Sequence, residues 1–298
     1  MKNQYVGDIG DYGKYALLRA FAEAGIKVGI NWYLTEDDAS NDGKFTNYLQ
    51  DEAFRRYSPE VFDALGKIAD NQDKTVKDIE GSGIVPGALF YSDVLNTVGT
   101  PSDREQERMA WFQESINELT DAELIYMDPD NGLQEDNEPG KLGAEKYVLP
   151  DEVEQYYRAG HNVVYYCHKG RRKLWDWHNH KSVMCKILPD AKYLVLTYHK
   201  GTQRSYIFLI HPEDFQKYNK IIRHFQDGWR KIFSFEYTEK GDPASEQVGD
   251  KFTIENTDGS VITLYKRADG WIQIENSKVK NLTKAMRPDL VCDFLWGR

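Results

Sequence analysis

Three stretches of this 298-residue sequence carry residue types that could do chemistry. The first is Ile125-Tyr126-Met127-Asp128-Pro129-Asp130-Asn131-Gly132. Its apolar half reads as a buried strand and its polar half as a glycine-containing loop, so Asp128 stands where the strand gives out. Ligands of α/β sheets bind at the carboxyl ends of strands, and an acid, a proline and a turn at that point would project side chains and main-chain groups into a cleft. Asp128, Pro129, Asp130 and Asn131 are therefore the candidate catalytic residues. The same residues would also make an ordinary turn, with Asp128 as its cap and Asn131-Gly132 supplying positive φ.

The second stretch is Gly7-Asp8-Ile9-Gly10-Asp11-Tyr12-Gly13-Lys14. Three glycines among short acids and a lysine permit close backbone approach to a ligand at a helix start, although neither a GxGxxG nor a P-loop pattern is present. A tightly capped helix would use the same residues. The third is His168-Lys169-Gly170-Arg171-Arg172-Lys173, followed by Trp175, Trp177, His178, His180 and Lys181. Residues 161–188 hold six Lys/Arg against one Asp. Such cations suit phosphates and interleaved aromatics can stack on bases, while a solvated basic helix face is the alternative. Cys167, His168, His178, His180 and Cys185 lack the paired spacing of a zinc site, so no metal centre is assigned.

Alternating elements must position these groups. Asp11 is expected to cap a helix running to about Gly25, and strand Val28 to Leu34 leads into the acidic loop Thr35 to Gly43 with Glu36, Asp37 and Asp38. Helical material follows from Lys44 to Ala69, then a polar turn near Asn71 to Lys77 and a short strand within Val85 to Tyr91. Pro101 to Thr120 reads as a helix with Met109, Phe112, Ile116 and Leu119 on its apolar stripe. Strand Glu123–Asp128, helix Pro150–Ala159, strand Val163–Cys167 and a basic helix Arg171–Leu188 come next. Lys192–Tyr198 and Arg204–Ile210 form a hairpin, and a helix after His211-Pro212 carries Phe215, Tyr218, Ile222 and Phe225. The alternation implies an α/β fold: a doubly wound, mainly parallel, Rossmann-like sheet with a final antiparallel hairpin. Composition changes after Tyr237, so residues 1–237 are read as the α/β domain and 238–298 as a small β-rich appendage with strands near 251–255, 260–266 and 270–275.

Composition narrows the function classes. Thirty-eight Lys/Arg against 48 Asp/Glu give a formal charge of −10, which disfavours non-specific nucleic-acid binding except through a local basic patch such as 169–186. The apolar runs are too short to span a bilayer, and no apolar signal region follows Met1. Three cysteines cannot all pair, so a reducing cytoplasm is the expected location, without a membrane partner.

In order and spacing over about residues 5–230, these features resemble the class I S-adenosylmethionine-dependent methyltransferases. In particular they resemble the ribosomal-RNA large-subunit methyltransferase J family of adenine-N6 methyltransferases. Gly7 to Tyr15 is similar to that family's N-terminal segment, in which a lysine approaches the cofactor. Val85-Pro86-Gly87-Ala88-Leu89 is similar to its Pro-Gly-Ser-Pro segment. Leu124 to Asn131 stands where the family has a strand ending in Asp-Pro-Pro-Tyr.

The resemblance implies methyl transfer to an amino group of a nucleic acid or nucleotide. Asp128 would accept a hydrogen bond from the target amine, and main-chain carbonyls at the Pro129 turn would help orient it. Lys14, Asp8, Glu36, Asp37 and Asp38 would contact S-adenosylmethionine, and Lys169, Arg171, Arg172 and Lys173 the substrate. Two departures stand out. Thr35-Glu36-Asp37-Asp38-Ala39-Ser40 replaces the Gly-rich cofactor turn, and Asp130-Asn131 replaces the second Pro and the base-stacking aromatic. Two rival readings remain: a metal-dependent nuclease using Asp128 or Asp130 with Glu145 and Lys146, and a non-catalytic nucleic-acid or nucleotide binder on the same fold.

Overall fold

The computed structural model describes residues 1–298 except 39–42, 44, 72, 169, 171–179, 181–182, 185, 239–250, 256–260, 268–269, 276–277 and 283–298. The chain divides into two compact units, Met1–Tyr166 with Lys200–Thr202, and Cys167–His199 with Gln203–Arg298. The expected basic helix 171–188 lies mostly outside the described residues.

The first unit is built on parallel strands β1 (Val28–Asn31), β2 (Leu89–Tyr91), β3 (Leu124–Met127) and β6 (Asn162–His168), in the order β2-β1-β3-β6. Every residue of β1 and β3 is buried, which is why they read as continuous apolar runs rather than alternating ones. Helix α1 (Ile9–Glu23) precedes β1, and α2 (Glu52–Arg55), α3 (Pro59–Ala69), α4 (Val76–Ser82), α5 (Pro101–Glu118) and α6 (Pro150–Arg158) lie between the strands in chain order. A small parallel pair, β4 (Gly132–Leu133) and β5 (Tyr147–Val148), braces the loop after β3. Gly29 lets β1 lie close against the turn between α5 and β3 and against β3 itself: a Cβ there would stand 2.8 Å from Ala122 Cβ and 2.9 Å from Ile125 Cδ1.

Several local expectations are corrected by tertiary context. The cap of α1 is Asp8, which accepts from Gly10 N at 2.8 Å, and Asp11 sits one turn in. The α1 helix still stops at Gly25, whose φ of +83 needs no Cβ penalty. The strand expected over Val28–Leu34 ends at Asn31, because Tyr33 turns the chain with φ +45. The helical stretch 44–69 breaks into short pieces at the caps Asp51 and Ser58, and Pro59 starts α3. Part of the expected polar turn 71–77 becomes the start of α4, closed by a Thr75–Asp78 capping box. In α5 the buried face is Arg108, Trp111, Phe112 and Ser115, while Met109 is 64% exposed. The stripe is rotated because a paired arginine takes the place that hydropathy reserves for methionine.

The second unit holds the hairpin β7 (Lys192–Tyr198) and β8 (Arg204–Ile210), in register from Lys192↔Ile210 to Tyr198↔Arg204. Helix α7 (Phe215–Trp229) buries Tyr218, Ile222, Phe225 and Trp229, and β9 (Phe233–Thr238) pairs antiparallel with β7. Strands β10 (Lys251–Glu255), β11 (Val261–Arg267), β12 (Gly270–Glu275) and β13 (Lys278–Leu282) form an antiparallel meander joined to β9 through β10. The architecture is mixed α/β and compatible with a Rossmann-like fold. No helix among the described residues is long and apolar enough to cross a membrane.

Candidate functional site

The chain leaves β1 for β2 on one side, then returns to place β3 on the other side of β1. That reversal is a topological switch point at the carboxyl ends of β1 and β3, the place where the outgoing loops of an open α/β sheet diverge and its ligand crevice lies. Its walls here are Trp32 to Thr35 after β1 and Asp128 to Asn131 after β3, packed closely enough to bury Trp32, Tyr33, Thr35 and Asp128.

Asp128 is 5% exposed and both its oxygens are engaged. Tyr126 Oη donates to Oδ1 at 2.9 Å, and Lys14 Nζ donates to Oδ2 at 2.8 Å. Tyr126 reaches it because residues two apart on a strand share a face. Lys14 also pairs with Asp11 at 2.7 Å, one helical turn back on α1, and Asp11 Oδ2 accepts from Gly7 N at 2.9 Å. The Lys14 ammonium lies 4.7 Å from the Tyr15 ring centroid and 5.5 Å from that of Trp32. Burial works against its charge, but the carboxylates of Asp11 and Asp128 outweigh burial and hold Lys14 well above the usual lysine range. Burial pushes the Tyr15 hydroxyl up as well, and the Asp11 carboxylate adds to the effect.

The N-terminal segment enters the same crevice. The α-amino group of Met1 donates to Tyr33 O at 3.0 Å and Asp128 O at 2.9 Å and lies 2.8 Å from Asp130 Oδ1. Thr35 N donates back to Met1 O at 2.9 Å. Tyr33 is held in its left-handed conformation by its own contacts: its N–H bonds Asn31 Oδ1 at 3.2 Å, and its hydroxyl donates to Glu152 Oε2 at 3.0 Å. Glu152 in turn receives Arg108 Nε at 2.6 Å and Nη2 at 2.9 Å. Arg108 also donates to the carbonyls of Ala144 and Tyr147, both at 2.7 Å, which anchors the segment carrying β5. That segment supports the Asp128 loop through Asn131 N, which donates to Lys146 O at 2.9 Å.

Folding thus brings Lys14 and Asp128 into contact, with Asp130 linked to Asp128 through the Met1 amine, Pro129 buried, and Asn131 fastened by its backbone to the β5 segment. The other cofactor candidates are placed differently. Asp8 caps α1, Glu36 is exposed, and Asp37 and Asp38 bind the N-terminal segment, with Gln4 N on Asp37 at 3.0 Å and Gln4 Nε2 on Asp38 at 3.1 Å. Asp38 also pairs with Lys2. Lys169, Arg171, Arg172 and Lys173 lie outside the described residues.

Of the nuclease candidates, Glu145 accepts from Thr97 Oγ1 at 3.5 Å. Lys146 contributes its carbonyl to the loop contact already described. No group of three or more His, Cys, Asp or Glu among the described residues could hold a metal ion. Cys167 and His180 do meet, at 3.5 Å, but both are fully buried.

The sequence put Asp11 and Tyr126 inside the candidate stretches without giving either a role in the site, and it did not single out Tyr33, Arg108, Glu152 or the Met1 amine. Asp11 was detectable from its three-residue spacing to Lys14, and Tyr126 from its two-residue spacing to Asp128. The other four carry no local signal. In comparison with known proteins, the chain matches no family model and no curated protein.

Proposed function

We propose that this protein transfers a methyl group from S-adenosylmethionine to an amino group of a nucleic acid or nucleotide, in the crevice between the ends of β1 and β3. The observation that carries the reading is the 2.8 Å contact of Lys14 and Asp128, 114 residues apart, at the switch point. The charge of the crevice suits that cofactor. Asp11, Asp128 and Asp130 face Lys14 and the Met1 amine, so carboxylates outnumber ammonium groups and a sulfonium cation is favoured. Lys14 and Asp11 are the residues that would hold its amino-acid end, and when bound the cofactor supplies an electrophilic methyl group.

The protein's own groups position the acceptor. Each carboxylate oxygen of Asp128 has two lone-pair directions, and Tyr126 and Lys14 use one on each. The remaining directions can accept an N–H of the target amine and turn its nitrogen lone pair away from the protein. Carbonyls at the Pro129 turn take a second N–H, and a proton released from the amine has Asp128 and Asp130 within the same crevice. Lys169, Arg171, Arg172 and Lys173 supply phosphate contacts in this reading.

S-adenosylmethionine or its demethylated product should raise the melting temperature, and Lys14→Ala should shrink the rise. No shift at millimolar ligand would remove the methyl-transfer reading. Charge reversal at Arg171 and Arg172 should weaken nucleic-acid binding and lower its salt slope by about one per lost contact, read from binding titrations at several salt concentrations. A second reading, nucleotide binding without chemistry, is favoured by one observation: buried Trp32 and Tyr33 occupy the place of a Gly-rich turn, and Thr35 is bonded to Met1. A nucleotide that stabilises the chain where S-adenosylmethionine does not would select it.

A further inference from the structure

Three acceptors in the crevice converge on a single nitrogen. Tyr33 O and Asp128 O accept hydrogen bonds of 3.0 and 2.9 Å from the Met1 α-amino group, and Asp130 Oδ1 lies 2.8 Å from it. The Asp130 side chain is only 7% exposed, and apart from its ion pair with this nitrogen no donor among the described residues reaches its Oδ1. A buried carboxylate oxygen has two lone-pair directions, so one held by a single ion pair keeps hydrogen-bonding capacity that a further or better-aimed donor can meet.

The chemistry of this arrangement is selective. A primary ammonium carries three donors and no acceptor, so three acceptors, one of them ionised, are its complement. A hydroxyl or water would turn a lone pair toward one of the three oxygens, and a quaternary cation would bring charge without any N–H. We infer that Tyr33 O, Asp128 O and Asp130 Oδ1 form a primary-ammonium subsite. The Met1 nitrogen is its stand-in occupant, and a ligand carrying an aliphatic primary amine replaces it and completes the hydrogen bond on Asp130. The two carbonyls are held in place from behind, Tyr33 by Asn31 and Glu152, and Asp128 by Lys14 and Tyr126, so the subsite persists when its occupant changes. This inference rests on the crevice being the ligand site and not on methyl transfer, so failure to bind S-adenosylmethionine leaves it standing.

The test displaces the stand-in and offers a small replacement. A chain extended by two glycines ahead of Met1 cannot place an ammonium among the three oxygens. It should melt below the unextended chain and recover by about 3 °C in ~100 mM methylammonium chloride, but not in tetramethylammonium chloride at equal concentration. Asp130→Asn in the extended chain should abolish the difference between the two salts. Equal recovery in both salts, no recovery in either, or a difference that survives Asp130→Asn would overturn the proposal. Should the extended chain not fold, a chain shortened to begin at Asn3 empties the same place and takes the same measurements. If neither folds while Asp130→Asn alone folds normally, the Met1 nitrogen is a structural tie and the proposal fails. The S-adenosylmethionine titration, run separately on the unextended chain, reports on methyl transfer alone.

Discussion

Arg108 and Lys14 are both buried cations of the first unit, 1% and 4% exposed, and they are satisfied in opposite ways. Arg108 meets one carboxylate, Glu152, in a bidentate pair, and spends its other donors on two carbonyls. Glu152 is closed off as well, by Tyr33 Oη and by Leu149 N at 2.9 Å. Charge balances there and few sites are left for a ligand. Lys14 is shared by two carboxylates, with a third, Asp130, in the same crevice, and aromatic faces of Tyr15 and Trp32 beside it. Unbalanced negative charge is expensive in a buried place, and it is where an incoming cation or amine can gain binding free energy. The balanced cluster ties Tyr33 and the β5 segment together, and the unbalanced one lies at the switch point itself.

The contrast is open to attack by mutation. The largest effect is expected from Arg108→Met, which strands Glu152 without a counter-ion and should cost about 3–5 kcal/mol of stability in urea titrations. Lys14→Met leaves Asp11 and Asp128 facing one another without a cation. It should cost about 3 kcal/mol at neutral pH and less in acid, where the Asp11 carboxyl, which burial pushes up, takes up a proton more readily. A Lys14 variant as stable as the parent at neutral pH would break the comparison.

Asp128→Asn sharpens it at smaller cost. Lys14 keeps Asp11, so the loss should be about 1 kcal/mol, while the proposed transfer to an amine should collapse because one acceptor oxygen becomes a donor amide. Loss of folding with ligand binding intact in the folded fraction would make Asp128 a turn cap instead.

The smallest effect concerns alkaline pH. The folded-state values of Lys14, Tyr15 and Tyr33 are all raised, so their contribution is complete below the unfolded values near pH 10 and fades as pH climbs through the folded ones. Melting temperature should therefore fall above about pH 10. A subset of tyrosines should develop tyrosinate absorbance only as the chain unfolds, and Lys14→Met should flatten the decline. Tyrosines that all ionise freely before unfolding would contradict the closed packing of both clusters.

Much of the fold can be read locally. The hairpin β7–β8, the helices α6 and α7 and the apolar strand β3 follow from period and turn chemistry, because each is specified by residues within a few positions of one another. The ends of elements were harder. At Tyr33 a bulky residue takes a left-handed turn that no propensity favours, and Asn31, Glu152 and the Met1 amine make it possible only after the chain has folded.

The amino-acid sequence by itself placed Asp128 at the end of a buried strand and Lys14 on the first helix, since strand periodicity and helix signals are local physics. It could not tell that these two meet, nor that Asp8 and Glu36 to Asp38 turn to capping α1, solvent and the N-terminal segment. Those outcomes depend on β3 crossing back beside β1, a long-range contact whose benefit appears only when the loop-closure entropy has been spent and the charges are buried together. The same reason explains Arg108. A charged residue on an apolar stripe reads as solvent-facing until tertiary structure supplies Glu152, Ala144 and Tyr147 to satisfy it.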